Sequence, residues 1–241
     1  MNVAIIQART NSTRFPNKVL KTINGKSILQ HIIEFLELSK SIDKIVVATT
    51  DLIDDNPIES LLKKLNVSCF RGSSNDVLKR YYDCAKLYDA DVILRVTADD
   101  PFIDPVIIDN LIKKCQNSKI DYVTSTIPPT FPLGFTACEA FPFTVLEKLH
   151  ENALDSMSRE HVTSHILENK NLFKISSISS KSDLARPDWR LTIDFPDDFL
   201  LIQKIFFKMN IDKKNFSYLK LVEFLDNNLD LLEINNSHKN I

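Results

Sequence analysis

Arg9, Arg14 and Lys18 fall in one short stretch, Ile6-Gln-Ala-Arg-Thr-Asn-Ser-Thr-Arg-Phe-Pro-Asn-Lys18. The arginines offer planar forks that match phosphate oxygens, and the lysine offers a point charge. Thr10, Ser12 and Thr13 add hydroxyl groups. The stretch follows directly on the apolar run Val3 to Ile6. A strand that empties into a small-polar, Arg- and Lys-bearing loop is how α/β proteins present cations and backbone N–H groups to phosphates. The first 33 residues hold five cations, Arg9, Arg14, Lys18, Lys21 and Lys26, and no acid. The whole chain carries 30 Lys and Arg against 32 Asp and Glu, so the concentration is local and locates a candidate polyanion site. On residue types alone, an ordinary solvated loop is an equal reading.

The acids supply the complementary chemistry. Arg95-Val-Thr-Ala-Asp99-Asp100-Pro101 reads as an apolar strand ending in two carboxylates. Mg²⁺ takes one or two protein carboxylates and completes its shell with water and phosphate oxygens, so acids at such a strand end suit it. The alternative is that Asp99 and Asp100 cap the following turn. Asp104 is read as the N-cap before Pro105. Asp194 ends a second apolar run, Trp189-Arg-Leu-Thr-Ile193. Asp197 and Asp198 fall in the next helix's first turn, where acids favour the dipole, and are read as structural. In Phe70-Arg71-Gly72-Ser73-Ser74-Asn75-Asp76, a strand, a Gly turn and a helix start would form a small polar pocket. There Asp76 reads equally as a helix cap. His161 and His165 share a predicted helix face, but lack a third ligand and an HExxH order, so a metal pair is rejected.

These residues need a frame. Val3–Ile6, Lys44–Ala48, Ser68–Phe70, Asp91–Val96 and Tyr122–Ser125 read as buried strands. Ser27–Leu38, Pro57–Leu65, Asn75–Leu87 and Pro105–Cys115 read as amphipathic helices, with Ser27 and Asn75 as N-caps. The alternation predicts βαβ units and a Rossmann-like α/β fold: a mostly parallel central sheet flanked by helices. Ligands in such sheets bind beyond the carboxyl ends of the strands, which puts the cationic loop and Asp99 on one rim. Trp189–Ile193 is expected to return to the sheet and bring Asp194 to the same rim. A small insertion that covers the site for acceptor binding or pairs with a second subunit is expected after about residue 126, spanning 126–180, with helices near Val145–Ala153 and Ser158–Glu168 and a strand near Phe173–Ser177. Helices from Pro196 to about Met209 and over Ser217–Leu225 follow. Residues 1–226 are read as a single domain and 227–241 as a polar, frayed tail.

Composition bounds the rest. At 241 residues and 44% apolar, the chain can bury a sizeable core. A net charge of −2 argues against general nucleic-acid binding. No apolar run approaches the roughly 18 residues that span a bilayer, and the N-terminal run is too short for a secretion signal, so the expectation is a cytoplasmic chain with no membrane partner. Cys69, Cys84, Cys115 and Cys138 are scattered without a CxxC and read as free thiols. Three glycines exclude a glycine-rich phosphate cradle.

The pattern AIIQARxxSTRxPxKxL with Gly25-Lys26-Ser27-Ile28-Leu29 resembles the opening of the cytidylyltransferase family that makes CMP-activated sugars, the spore-coat-polysaccharide type above all. The resemblance implies a nucleotide-diphospho-sugar transferase type of fold, CTP as substrate and Mg²⁺ as cofactor. It implies that Arg9, Arg14 and Lys18 surround the CTP phosphates and that the backbone near Ala8 seats cytosine. Asp99 stands at a metal-ligand position, with Ala98 where the family usually has Gly. Asp194 matches the second metal carboxylate. The Arg71–Leu78 stretch resembles the family's nucleoside segment, which points to Arg71, Ser73 and Asp76, with Thr10 and Ser12 beside the nucleotide. Ser158-Arg-Glu-His161 resembles a segment near the acceptor, which points to Arg159, Glu160 and His161, with Arg159 and Glu160 either binding an anionic acceptor or ordering a dimer contact. Gly134 and Glu139 resemble a G-x-D-x-E-x-F segment, with one extra residue and the first acid missing. A homodimer is a family expectation. The implied reaction moves CMP from CTP to a sugar acid, a sugar or polyol phosphate or a related anionic acceptor, for surface-polysaccharide or glycan precursor synthesis.

Two other readings compete. A metal-dependent glycosyltransferase using a nucleotide-sugar donor would share the sheet and the acids, but the Arg/Lys loop suits a triphosphate better. A non-catalytic nucleotide-binding subunit would have no need of Asp99, Asp194 and the three cations together.

Overall fold

The computed structural model describes residues 1–117, 119–212 and 215–238. Strand β1 (Asn2–Gln7) lies inside the sheet, and Val3 to Ile6 are completely buried. A strand covered on both faces needs such an unbroken apolar run. A short hairpin, β2 (Thr22–Ile23) and β3 (Lys26–Ser27), turns the chain into helix α1 (Ile28–Leu36). Ser27 caps α1, its hydroxyl accepting the Gln30 N–H at 3.1 Å. Then follow β4 (Lys44–Thr50), α2 (Asn56–Leu65), β5 (Ser68–Gly72), α3 (Val77–Leu87), β6 (Val92–Thr97) and α4 (Pro105–Cys115). β1 pairs in parallel with β4 and β6, and β4 with β5.

The chain then adds β7 (Tyr122–Thr124), β8 (Glu139–Pro142), α5 (Phe143–Asn152), α6 (Ser156–His161), α7 (Ser164–Glu168) and β9 (Ile175–Ser177). Among the described residues the main sheet has seven strands in the order β5-β4-β1-β6-β8-β7-β9. β8 runs antiparallel between β6 and β7, so the stretch after residue 126 contributes to the sheet itself. The fold is the expected one, a mostly parallel central sheet flanked by helices. Ala4 and Ile6 pack with α1, α2, α4, α8 (Pro196–Lys208) and α9 (Tyr218–Asp226). Val3 and Ile5 pack on the other face with α3, α5 and α7. Among the described residues no helix is long and apolar enough to cross a membrane.

Four local expectations change. Asp76, not Asn75, caps α3, its carboxylate accepting the Lys79 N–H at 2.8 Å. Ser158–Glu168 is two helices, broken where Val162 takes a φ of 55°. Trp189–Ile193 does not join the main sheet. It makes one parallel bridge, Arg190 with Leu133, and the Ile193 N–H donates to the Asp99 carbonyl at 2.9 Å. Gly134 permits this approach, since a Cβ there would lie 2.4 Å from the Thr192 nitrogen. The run is apolar because a loop buries it, which periodicity cannot tell from a ladder. Finally, Leu229–His238 is not frayed: it forms a helical run of tight turns and buries Leu231, Leu232 and Asn235. Residues 239–241 lie outside the described residues.

Candidate active site

The C-terminal ends of β1 and β6 open onto a polar cavity of about 330 Å³ lined by Gln7, Ala8, Arg9, Ser12, Thr13, Arg14, Lys18, Ala98, Asp99, Glu160, His161 and Asp194. Strand polarity explains the gathering. β1 and β6 are parallel, so their following loops leave the sheet on one side. Lys18 begins a tight helical turn, Lys18–Leu20, after Asn17 takes a φ of 59°, and so points back at the sheet.

Lys18 lies between the two acids. Its Nζ donates to Asp99 Oδ2 at 2.8 Å, to Asp194 Oδ1 at 3.1 Å and to the Ile193 carbonyl at 2.7 Å. Burial alone would lower the Lys18 pKa, but the two carboxylates outweigh it and hold it above the ordinary lysine value. Arg14 Nη2 donates to the same Asp194 Oδ1 at 2.8 Å, and Arg9 Nη2 reaches Glu160 Oε1 at 3.3 Å. Asp100 turns aside to accept the Thr97 hydroxyl at 2.6 Å. Its burial, with the Asp99 charge beside it, pushes its carboxyl up to about 7. Ala98 is buried and absent from the positive-φ residues, so alanine serves there without strain.

The donor set fits a divalent cation. Oxygens of Asp99 and Asp194 converge on one ammonium, and hard carboxylate oxygens at such spacing suit Mg²⁺. Among the described residues no group of three or more His, Cys, Asp or Glu gathers to hold an ion, so substrate oxygens would complete any coordination.

A family model described as cytidylyltransferase matches residues 3–231. The chain belongs to the cytidylyltransferase family. It is 40% identical over 238 residues to the uncharacterized protein MJ1063 of Methanocaldococcus jannaschii, covering 98% of this chain and 94% of that one. It is 30% identical over 230 residues to the spore coat polysaccharide biosynthesis protein SpsF of Bacillus subtilis, covering 94% of each. The solved structure of a cytidylyltransferase from Leptospira borgpetersenii superposes with a TM-score of 0.90 at 34% identity, over 96% of each chain. Membership makes this protein a CTP-dependent nucleotidyltransferase.

Several residues expected at the site of this cytidylyltransferase stand elsewhere. Thr10 does not line the cavity: its N–H and hydroxyl both donate to Asp55 Oδ1 at 2.7 Å, which ties the loop to the chain after β4. Arg71 is spent on the Thr50 and Leu52 carbonyls, Asn56 Oδ1 and Glu59 Oε2, at 2.5–3.0 Å. The Ser73 carbonyl accepts Arg80 Nη1 at 2.6 Å. Asp76 and Arg159, assigned to nucleoside and acceptor, pair with each other at 2.5–3.0 Å and join α3 to α6. Glu139, expected near the acceptor, is buried and does not line the cavity, and Arg95, Tyr122 and Thr163 donate to its oxygens. Glu160 and His161 do line the cavity, and His165, on α7, does not. The reading by residue type missed Gln7, whose Oε1 is buried at the cavity without a hydrogen-bond partner among the described residues. It also missed Arg190, which holds Asp194 Oδ2 at 2.9 Å and is 3% exposed. A buried arginine four residues before an acid was the available signal.

Proposed function

We propose that the protein transfers CMP from CTP to an anionic sugar acceptor and releases pyrophosphate, as a step in surface-polysaccharide or glycan precursor synthesis. The observation that carries the reading is Lys18 set between Asp99 and Asp194 in a cavity shared with Arg9 and Arg14. An oxygen of the acceptor attacks the α-phosphorus of CTP in line. The bond from that phosphorus to the β-phosphate oxygen breaks, and pyrophosphate leaves with the electron pair. Such transfer asks for positioning and charge neutralisation more than for covalent chemistry. Arg9, Arg14 and Lys18 hold the triphosphate and stabilise the leaving group, with Ser12 and Thr13 beside them. Ala8 offers its backbone to the base. Asp99 and Asp194 would hold Mg²⁺, which when bound would supply neutralisation of the phosphate charge.

The acceptor enters beside Glu160 and His161, the cavity residues supplied by the 126–180 stretch. A sugar acid is the first candidate, by the resemblance to CMP-sugar synthetases, and a sugar or polyol phosphate the second. The same stretch exposes Leu154 and Met157, at 85% and 58%, which suits a homodimer contact.

A thermal-shift comparison of CTP, UTP, ATP and GTP, each with and without Mg²⁺, tests the reading. A ligand at about 100 times its Kd adds roughly 2.7 kcal/mol of stability. Selective stabilisation by CTP, stronger with Mg²⁺, is expected, followed by pyrophosphate release on an acceptor panel of sugar acids. Preference for another nucleotide would change the donor, and no response to any would sink the reading.

A further inference from the structure

The segment Leu229–His238 turns irregular at Asn235, whose φ of −116° and ψ of 18° interrupt the helical run. Asn235 is buried there, and its side-chain amide donates to Asp198 Oδ1 at 2.7 Å and to the Arg190 carbonyl at 3.1 Å. Asp198 is fully buried and gathers the neighbourhood. It accepts Arg190 Nε at 3.1 Å and the N–H groups of Asp194 and Phe195, each at 2.9 Å. Arg190 then donates Nη2 to Asp194 Oδ2 at 2.9 Å. The other oxygen, Oδ1, meets Arg14 and Lys18 in the cavity. An aromatic link runs beside this chain: His238 stacks on Phe195 at 4.0 Å, and the Arg14 guanidinium lies 5.1 Å from the same ring.

A carboxylate free to rotate can offer either oxygen. Here one oxygen is reserved by Arg190, and the backbone N–H of Asp194 is tied to Asp198. We propose that the turn Leu229–His238 is a positioning device for the site: through Asn235, Asp198 and Arg190 it fixes which oxygen Asp194 presents to the cavity. The proposal rests on the CMP-transfer reading above. Asn235 reaches no substrate. It acts through two residues, so its loss changes how well the site holds a cation more than whether the fold forms. Outer-shell partners of ligating carboxylates work in this way.

The test uses the full chain and three variants, Asn235→Ala, Asn235→Asp and Leu232→Ala. Mg²⁺ is titrated at saturating CTP while the melting temperature is followed. For Asn235→Ala, the Mg²⁺ concentration giving half of the metal-dependent shift should rise about tenfold. Asn235→Asp keeps the volume but turns a carboxylate oxygen toward Asp198, and should move it at least as far. Leu232→Ala removes packing from the same turn. It should lower the melting temperature yet leave the half-point within about twofold. Without any ligand, amide hydrogen exchange at Asp194 and Phe195 should quicken in Asn235→Ala and not in Leu232→Ala. If the Asn235 variants merely melt earlier, with unchanged half-point and exchange, the turn is packing only and the proposal fails. Should they not fold, the milder Asn235→Ser, too short to reach both Asp198 and the Arg190 carbonyl, takes their place, and an unmoved half-point with unchanged exchange there is equally fatal. A wild-type chain with no Mg²⁺-dependent CTP response defeats the CMP-transfer reading and the proposal with it. A responsive wild type with unresponsive variants defeats the positioning role alone.

Discussion

Lys18 places one positive charge against two carboxylates, and Arg14 adds a second to Asp194. The free site is therefore close to internally neutral. A triphosphate can draw the cations away from the acids, which frees oxygens for a divalent ion. From this follow two expectations at the level of single side chains. Asp99→Ala should fold as the wild type does and lose about 10²-fold or more in turnover at saturating Mg²⁺, as removal of a charge-stabilising group does. Steady-state pyrophosphate release, with circular dichroism as the folding control, decides it. Unimpaired turnover would remove Asp99 from the site. Arg14→Ala should raise the KM for CTP about tenfold, roughly 1.4 kcal/mol, with a smaller change in kcat. An unchanged KM would mean that the cationic loop does not hold the triphosphate.

Secondary-structure elements set where these side chains stand, and the loop after β1 is held from outside itself. Asp55 accepts from Thr10 and Thr50 and so bolts the loop to the end of β4. Burial pushes the Asp55 carboxyl up, but hydrogen bonds from Thr50 and Thr10 outweigh it and leave its pKa below the ordinary 3.8. A depressed carboxyl contributes stability that is fully present above the unfolded pKa and is lost as pH falls through the folded one. Asp55→Asn should therefore be less stable than wild type at pH 7. The gap between the two urea midpoints should close only below about pH 3.8. A gap that is constant down to pH 2.5 would contradict the assignment. Strands β1, β4, β5, β6, β7 and β9 and helices α1, α2 and α4 were legible in the sequence because their apolar periods and caps are local, whereas the short β8 was not. Asp55 was not legible as an anchor, because nothing in its own neighbourhood says that Thr10 will be its partner.

Across the whole molecule, the parallel half of the sheet meets the antiparallel strands at β6 and β8. Arg95 on β6 pairs there with Glu139 on β8 at 2.7 Å, with side chains 13% and 9% exposed. Breaking a buried pair strands a charge, so Glu139→Gln should cost about 3 kcal/mol of stability. Urea unfolding measures it. The folded fraction should bind CTP with unchanged Kd, which a nucleotide-binding role for Glu139 would not allow.

The sequence by itself determined the parallel strands β1, β4, β5 and β6, the cationic loop and the acids Asp99 and Asp194 that close apolar runs, because each depends on residues close together in the chain. It also carried the family, through motifs spread from Val3 to Asp198. Pairings between distant segments were decided only by the tertiary structure. Arg159 turns to Asp76, Arg71 to the end of β4 and Glu139 to Arg95. The polar tail folds back so that Asn235 reaches Asp198. A buried polar group must find a partner, and residue type fixes the need while only the packed chain fixes which partner is within reach.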